Sequence, residues 1–338
     1  MPEAFIRSVS SHVPERVMTN DELARFLDTS DEWIYSHTGI RRRFIAAPEE
    51  AASDLGTVAA GRALEGAGLG ASDIDMILLA TSTPDYPGLP ATASIVQERI
   101  GADRAGAMDL VAACSGFVYG VETARAMVRG SDMQHVLVIG AEVYSRILNW
   151  EDRGTCVLFG DGAGAAVISR REDEAGTTGT AAAAGSRILA SYLRSRGSGA
   201  EKLYRPAGGS RTPFVEGRTD PAARYLHMDG RQVYNFAVAA VAEAVQAVLD
   251  QAGMRFEDLD YVVPHQANVR IIRAAARRAG WDFGKFYTNI ENYANTSAAS
   301  IPIALTNMLE EGRLERGMRI VTVGFGSGLS YGANLLVW

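Results

Sequence analysis

The 338-residue sequence has only two cysteines, Cys114 and Cys156, and no apolar run near the ~20 residues that cross a bilayer. Two cysteines build no disulfide framework and do not stand at zinc-ligand spacing, so a reducing, cytoplasmic setting without a metal is expected. The opening stretch, MPEAFIRSVSSHVPERV, lacks the unbroken apolar core of a signal peptide and the Arg/Ser amphipathic bias of a transit peptide. Export and membrane association are therefore not expected. A basic excess is missing too. With 33 Lys+Arg against 40 Asp+Glu, the net charge of -7 argues against a nucleic-acid partner and confines any basic patch to a local one.

What is present is globular in kind. Hydrophobic residues make up 47 % and charged residues 22 %, enough to bury a large core, and the length suits two domains or one α/β unit built by doubling. Continuous apolar runs at Met76–Ala80, Val136–Ile139, Ala165–Ile168, Tyr261–Val263, Ile320–Val323 and Leu335–Val337 read as buried strands. Helical periodicity separates them over 53–67, 116–128, 233–251, 269–278 and 300–311. Strand and helix alternate, which predicts an α/β fold.

The chain repeats itself. Ala63-Leu-Glu-Gly-Ala-Gly-Leu and Asp73-Ile-Asp-Met-Ile-Leu-Leu return as Val248-Leu-Asp-Gln-Ala-Gly-Met and Asp258-Leu-Asp-Tyr-Val-Val-Pro, offset by 185 residues in both cases (63 to 248, 73 to 258). His135-Val-Leu-Val-Ile-Gly parallels Arg319-Ile-Val-Thr-Val-Gly at nearly the same spacing. Two copies of one unit are expected, over 1–171 and 172–338, with a ligand cleft where they meet. The segment Arg171 to Asp229 breaks the pattern, starting with an Ala/Gly/Thr/Glu stretch from Glu172 to Gly185. It reads as a linker with a surface excursion, or as a lid or pocket wall.

Cys114 stands where an apolar run ends and a small-residue turn enters the helix from Gly116. Unpaired N–H groups at a helix start favour a thiolate, so this is a nucleophile's position; a lone cysteine is otherwise a small buried hydrophobe. Cys156 has no such turn and is left as a buried hydrophobe. His265, in Pro264-His-Gln-Ala-Asn, follows a strand and precedes a helix, at the edge where α/β sheets collect ligands. His12, His37, His135 and His227 lie on no comparable turn. Asn295 is expected at the place equivalent to Cys114 in the second copy, either as a helix cap or as a functional amide. Cysteine, histidine and asparagine at three such junctions suit thioester chemistry, since neutral donors can hold a developing enolate or oxyanion that carboxylates would repel. The Gly160–Gly164 and Gly324–Gly328 runs lack the context of a dinucleotide fingerprint.

The blocks Val111-Ala-Ala-Cys-Ser-Gly-Phe, Val263-Pro-His-Gln-Ala-Asn, Asn295-Thr-Ser-Ala-Ala-Ser and Phe159-Gly-Asp-Gly-Ala-Gly-Ala-Ala together resemble the β-ketoacyl-acyl-carrier-protein synthase III family. Thr29-Ser-Asp-Glu-Trp-Ile and Thr38-Gly-Ile-Arg-Arg-Arg belong to the same pattern, and the likeness runs over nearly the whole chain. It implies a duplicated thiolase-like fold of five layers, αβαβα, usually a homodimer. It also implies condensation of an acyl-CoA primer with malonyl-acyl-carrier protein, with acyl-CoA as substrate and no resident cofactor.

By the same resemblance Cys114 is the acyl acceptor, and His265 and Asn295 promote decarboxylation. Ser327 shares an oxyanion hole with Cys114, and Phe325 crowds the malonyl carboxylate. Trp33, His37 and Arg153 meet coenzyme A, and Gly230, Tyr234, Ala267 and Asn268 line the pantetheine tunnel. Leu89 stands at the primer pocket in place of a bulky aromatic, which hints at a primer longer than acetyl. His37 replaces a phosphate-binding arginine, a loss that Arg41 to Arg43 could offset. Ser327 replaces a glycine. Arg270, Arg273 and Arg277 share one helical face, and a local cationic stripe on an acidic protein suits an acidic carrier protein. The alternative within the fold is an acyltransferase or condensing enzyme of secondary metabolism. A papain-like protease shares the residue order but not the duplication, and a non-catalytic carrier-binding subunit has no need of all three residues.

Overall fold

The apolar runs become strands of two sheets in the computed structural model, which describes residues 2–171 and 185–338. Residues 172–184 of the expected linker lie outside the described residues. The first sheet holds β1 (Glu3–His12), β2 (Met76–Ala80), β3 (Gly106–Leu110), β4 (His135–Glu142) and β5 (Gly162–Arg171), in the order β1-β5-β4-β2-β3. The second holds β6 (Arg187–Ser195), β7 (Tyr261–Pro264), β8 (Arg319–Phe325) and β9 (Ser330–Val337), in the order β7-β8-β9-β6. Both sheets follow one plan. The pair β2–β4 is parallel while β4–β5 and β5–β1 are antiparallel, and β7–β8, β8–β9 and β9–β6 repeat those senses. One expectation is corrected here: Arg187–Ser195, read as part of the interruption, is the second copy's counterpart of β1.

Helices α1 (Asp31–Thr38), α2 (Ala52–Ala67), α3 (Thr92–Ile100), α4 (Gly116–Gly130), α5 (Gly230–Ala252), α6 (Val269–Ala279) and α7 (Ser300–Glu310) complete the main framework. The layering follows from which faces are apolar. Leu55, Ala59 and Ala63 of α2 and Val96 of α3 pack on the outside of the first sheet. Val241, Val245 and Val248 of α5 and Ile272 of α6 do the same for the second. Helix α5 is long and apolar enough to cross a membrane by length and composition, yet this stripe lies buried against the sheet. Between the sheets run α4 and α7, whose Phe117, Val121, Ile301 and Leu305 meet strands from both sides. Five layers, αβαβα, result. Such close stacking leaves little room: a Cβ on Gly116 of α4 would sit 2.7 Å from that of Ala80.

Each central helix is entered through a 3₁₀ turn, Ala113–Ser115 before α4 and Ser297–Ala299 before α7. The first residue of each turn is left-handed, Ala113 at φ 48° and Ser297 at φ 50°. This match makes Ala298, not Asn295, the counterpart of Cys114. Asn295 lies three residues earlier, which corrects the expected equivalence.

Candidate active site

The turn before α4 buries Cys114 to 4 % exposure and sets it at the end of a cavity of about 190 Å³. Burial pushes the thiol up to about 12; hydrogen bonding from Ser297 lowers it and the Glu142 charge raises it further. The helix start alone was expected to favour the thiolate, and here desolvation outweighs it, so Cys114 rests as a thiol. Across from it the Gly-rich turn after β8 approaches very closely. A Cβ on Gly326 would lie 2.7 Å from the Cys114 nitrogen, so this contact requires glycine.

His265 directly follows β7 and extends its ladder, its N–H donating to the Val323 carbonyl at 2.7 Å. The ring is buried, with Phe325 edge-on at 5.1 Å between centroids, and desolvation lowers its pKa to about 3, which keeps it neutral. Nδ1 lies 2.7 Å from Ser300 Oγ, and the Gln266 N–H donates to the same oxygen at 3.4 Å. Among the described residues the Ser300 hydroxyl hydrogen has no other acceptor, so it is directed at Nδ1 and the ring proton falls on Nε2.

Asn295 is held from both sides by the Phe159-Gly segment. Its N–H donates to the Leu158 carbonyl and its own carbonyl accepts from Gly160, each at 3.0 Å. Its Oδ1 accepts from the Ser297 N–H at 2.8 Å. The side chain thus caps the turn with its oxygen and keeps its NH₂ for the cavity, so the two readings of Asn295 describe two ends of one amide.

The cavity brings Cys114, His265, Asn295 and Phe325 together, and Gly230, Tyr234, Ala267 and Asn268 also line it. Leu158, Leu203, Met228 and Phe236 supply most of the remaining apolar wall. Leu203 and Met228 come from the interruption, its middle and its end, so part of it forms a pocket wall.

Other expected residues lie elsewhere. Trp33, His37 and Arg153 form a separate cluster on α1: Arg153 stands 4.6 Å over the Trp33 ring, and His37 stacks on it at 4.5 Å. The Ser327 side chain does not line the cavity; its hydroxyl donates to the Leu203 carbonyl, tying the Gly-rich turn to the wall. Leu89 is 86 % exposed and lies outside the cavity, because its loop runs over the surface after β2. Arg270, Arg273 and Arg277 are exposed on α6, with Arg270 Nε donating to the Ser36 carbonyl at 3.0 Å. Arg43 cannot serve a phosphate, since it is wholly buried, and Arg41 is engaged by Asp31 and Glu291.

Four residues near the site were not anticipated: Ser300, Ser297, Tyr144 and Glu142. Tyr144 and Ser297 hydroxyls lie 3.3 Å apart, beside the thiol. Glu142 is buried, and desolvation pushes it up to about 7. Only the Asn295-Thr-Ser-Ala-Ala-Ser block could have pointed to Ser297 and Ser300.

Comparison with known proteins follows this geometry. The sequence profile of 3-oxoacyl-(acyl-carrier-protein) synthase III matches residues 108–197, and that of its C-terminal part matches residues 249–338. A β-ketoacyl-(acyl-carrier-protein) synthase III of Caldanaerobacter subterraneus subsp. tengcongensis is 46 % identical over 335 residues, covering 99 % of this chain and 98 % of that one. The crystal structure of 3-oxoacyl-(acyl-carrier-protein) synthase III from Aquifex aeolicus superimposes with a TM-score of 0.88 at 41 % identity, covering 99 % of this chain and 100 % of the other. A priming β-ketosynthase of a polyketide biosynthetic pathway gives a TM-score of 0.88 at 35 % identity, covering 100 % and 98 %.

Proposed function

Because the chain belongs to the 3-oxoacyl-(acyl-carrier-protein) synthase III family, the condensing acyltransferases of fatty-acid initiation, we propose how its residues divide the work of a decarboxylative condensation. The observation that carries the reading is the convergence of Cys114, His265 and Asn295 on one apolar cavity. An acyl-CoA primer enters along the wall that holds Gly230, Tyr234, Ala267 and Asn268. Trp33, His37 and Arg153 take its nucleotide end. Cys114 sulfur attacks the thioester carbonyl, and the coenzyme A sulfur leaves with the thiol proton. The oxygen charge that builds up is met by the N–H groups of Cys114 and Ser327. Ser327 opens a 3₁₀ turn, so its N–H has no partner within that turn.

Malonyl-acyl-carrier protein, docked over Arg270, Arg273 and Arg277, then loses carbon dioxide beside Phe325. The electron pair moves onto the thioester oxygen, where Nε2–H of neutral His265 and the NH₂ of Asn295 stabilise the enolate. Its carbon attacks the acyl-Cys114 carbonyl, the carbon–sulfur bond to the cysteine breaks to release 3-oxoacyl-carrier protein, and the cysteine sulfur takes a proton from water. Neutral donors serve both roles, because an imidazolium would cling to the carboxylate that has to leave. A second copy of the chain fits the free edge of β3, where Met108 on the strand and Val111 just past it are exposed, with Tyr86 and Leu89 exposed in the loop after β2. Light scattering tests that homodimer, and a monomer refutes it.

The decisive experiment separates the two half-reactions. Mass spectrometry of the intact protein with acyl-CoA should show one acyl group, lost in Cys114→Ala. His265→Ala and Asn295→Ala should keep the label while releasing little carbon dioxide from malonyl-carrier protein. A label on Cys114→Ala, or unimpaired condensation in the other two, overturns the assignment.

A further inference from the structure

The largest side chain that the fold buries completely is a charged one, Arg43. It lies on the strand Arg42–Ile45, which pairs with Arg16–Thr19 in a small antiparallel ribbon beside the cavity wall. Burial lowers its pKa to about 10, so it is cationic at neutral pH. Among the described residues no carboxylate reaches within 4 Å of it. Burying an unpaired cation is costly, and an apolar residue of similar size is often as good or better for stability alone.

The guanidinium is instead spent on fixing two chain segments. Nη2 donates to the Val157 carbonyl at 2.9 Å, and Nη1 to Asn20 Oδ1 at 2.8 Å. Val157 immediately precedes the two residues that hold Asn295, through Leu158 O and the Gly160 N–H. Gly160 is pressed against the arginine: a Cβ there would lie 3.0 Å from that of Arg43. On the other arm, Asn20 Nδ2 donates to Asp31 Oδ1 at 2.8 Å and to the Ile40 carbonyl at 2.7 Å. Asp31 opens α1, the helix of Trp33 and His37.

We propose that Arg43 is a positioning residue for Asn295: its fork clamps residues 157–160, which carry the Asn295 main chain, to the start of α1. Lysine is a poor substitute, since its single nitrogen lacks the rigid fork whose two nitrogens each meet one acceptor. Cys114 hangs on α4 and the Gly326 turn, outside this clamp. The α1 end of the clamp acts on the acyl-CoA KM, so at saturating acyl-CoA its loss slows decarboxylation and condensation more than acylation. A displacement of the Asn295 amide by about 1 Å is worth up to ~10²-fold in rate. The inference rests on the role given to Asn295 above.

The test uses Arg43→Lys and Arg43→Met in the full chain, with acylation by acyl-CoA and carbon dioxide release from malonyl-carrier protein measured separately. The expected result is acylation at saturating acyl-CoA within about 3-fold of the parent and condensation kcat lower by roughly 10- to 100-fold. Hydrogen–deuterium exchange should accelerate in peptides spanning 155–161 and 293–297 but not in the helices of the second sheet. Equal loss of both half-reactions with exchange raised throughout marks a merely structural role and overturns the proposal, as does unchanged condensation. Should Arg43→Met fail to fold, Asn20→Ala removes one arm and must give the same pattern more weakly. Asn295→Ala run alongside separates the two ideas: if it condenses normally, the role of Asn295 fails, while the exchange data still decide whether Arg43 holds the segment.

Discussion

Replacing Gly326 by alanine tests how tightly the Gly-rich turn and the nucleophile are fitted. Gly326 has φ -169°, extended backbone that any residue adopts, so the substitution carries no conformational penalty of its own. The added Cβ, however, would lie 2.7 Å from the Cys114 nitrogen, 3.0 Å from its Cβ and 3.3 Å from the Ala113 Cβ. Ordinary contact begins near 3.4 Å, so turn and nucleophile must part by about 0.7 Å. The atom displaced is the nitrogen whose N–H is assigned to the oxyanion. Misalignment on that scale, or loss of one such donor, costs on the order of 10²-fold. Quenched-flow acylation followed by intact-mass analysis reads this directly, with a thermal melt to show the variant is folded. Gly61→Ala is the control: nothing lies within 4 Å of its Cβ, and in a helix interior alanine stabilises by about 0.5–1 kcal/mol. Acylation by Gly326→Ala within about 3-fold of the parent, in a folded protein, would refute both the fit and the oxyanion assignment.

Ser300→Ala removes the hydroxyl that sets the His265 tautomer; loss of one hydrogen bond of about 1–1.5 kcal/mol should lower condensation roughly tenfold and spare acylation, and equal effects on both would contradict this role. Alkylation of Cys114 by iodoacetamide should climb steadily with pH through 9 without levelling off, as burial holds the thiol at about 12; a plateau near pH 8 is the opposite result. Glu142 is raised in the fold to about 7, so its contribution to stability is fully present below its ordinary value of 4.5 and lost as pH rises through 7. Glu142→Gln avoids that loss, up to about 3 kcal/mol, and its Tm advantage should be larger at pH 8 than at pH 5; a constant difference would show that the carboxyl is not the cause.

Much of the architecture was legible because duplication leaves a periodic trace that no single motif supplies. The inner strands were legible too, as continuous apolar runs buried on both faces. The strands that escaped, β1, β3 and β6, are all at sheet edges; the fourth edge strand, β7, was read because nearly all of its short run is buried. An edge strand meets water along part of its length, so its apolar residues are scattered: β6 buries only Ile188 and Ala190, and β3 has none fully buried. The interruption was read too broadly for that reason.

The residue types that do the chemistry were determined by the sequence alone, since Cys114, His265 and Asn295 stand at strand or turn ends that local pattern reveals. Their states were decided by tertiary structure. That the thiol rests protonated, that the imidazole is neutral with its proton on Nε2, and that the Asn295 amide turns its NH₂ to the cavity all depend on burial and on partners far away in the chain. Ser300 is 35 residues from His265, and Val157 is 114 from Arg43. Local sequence sets which groups are available and where the backbone turns; desolvation and hydrogen-bond direction are properties of what surrounds a group, and those surroundings exist only once the two copies have packed together.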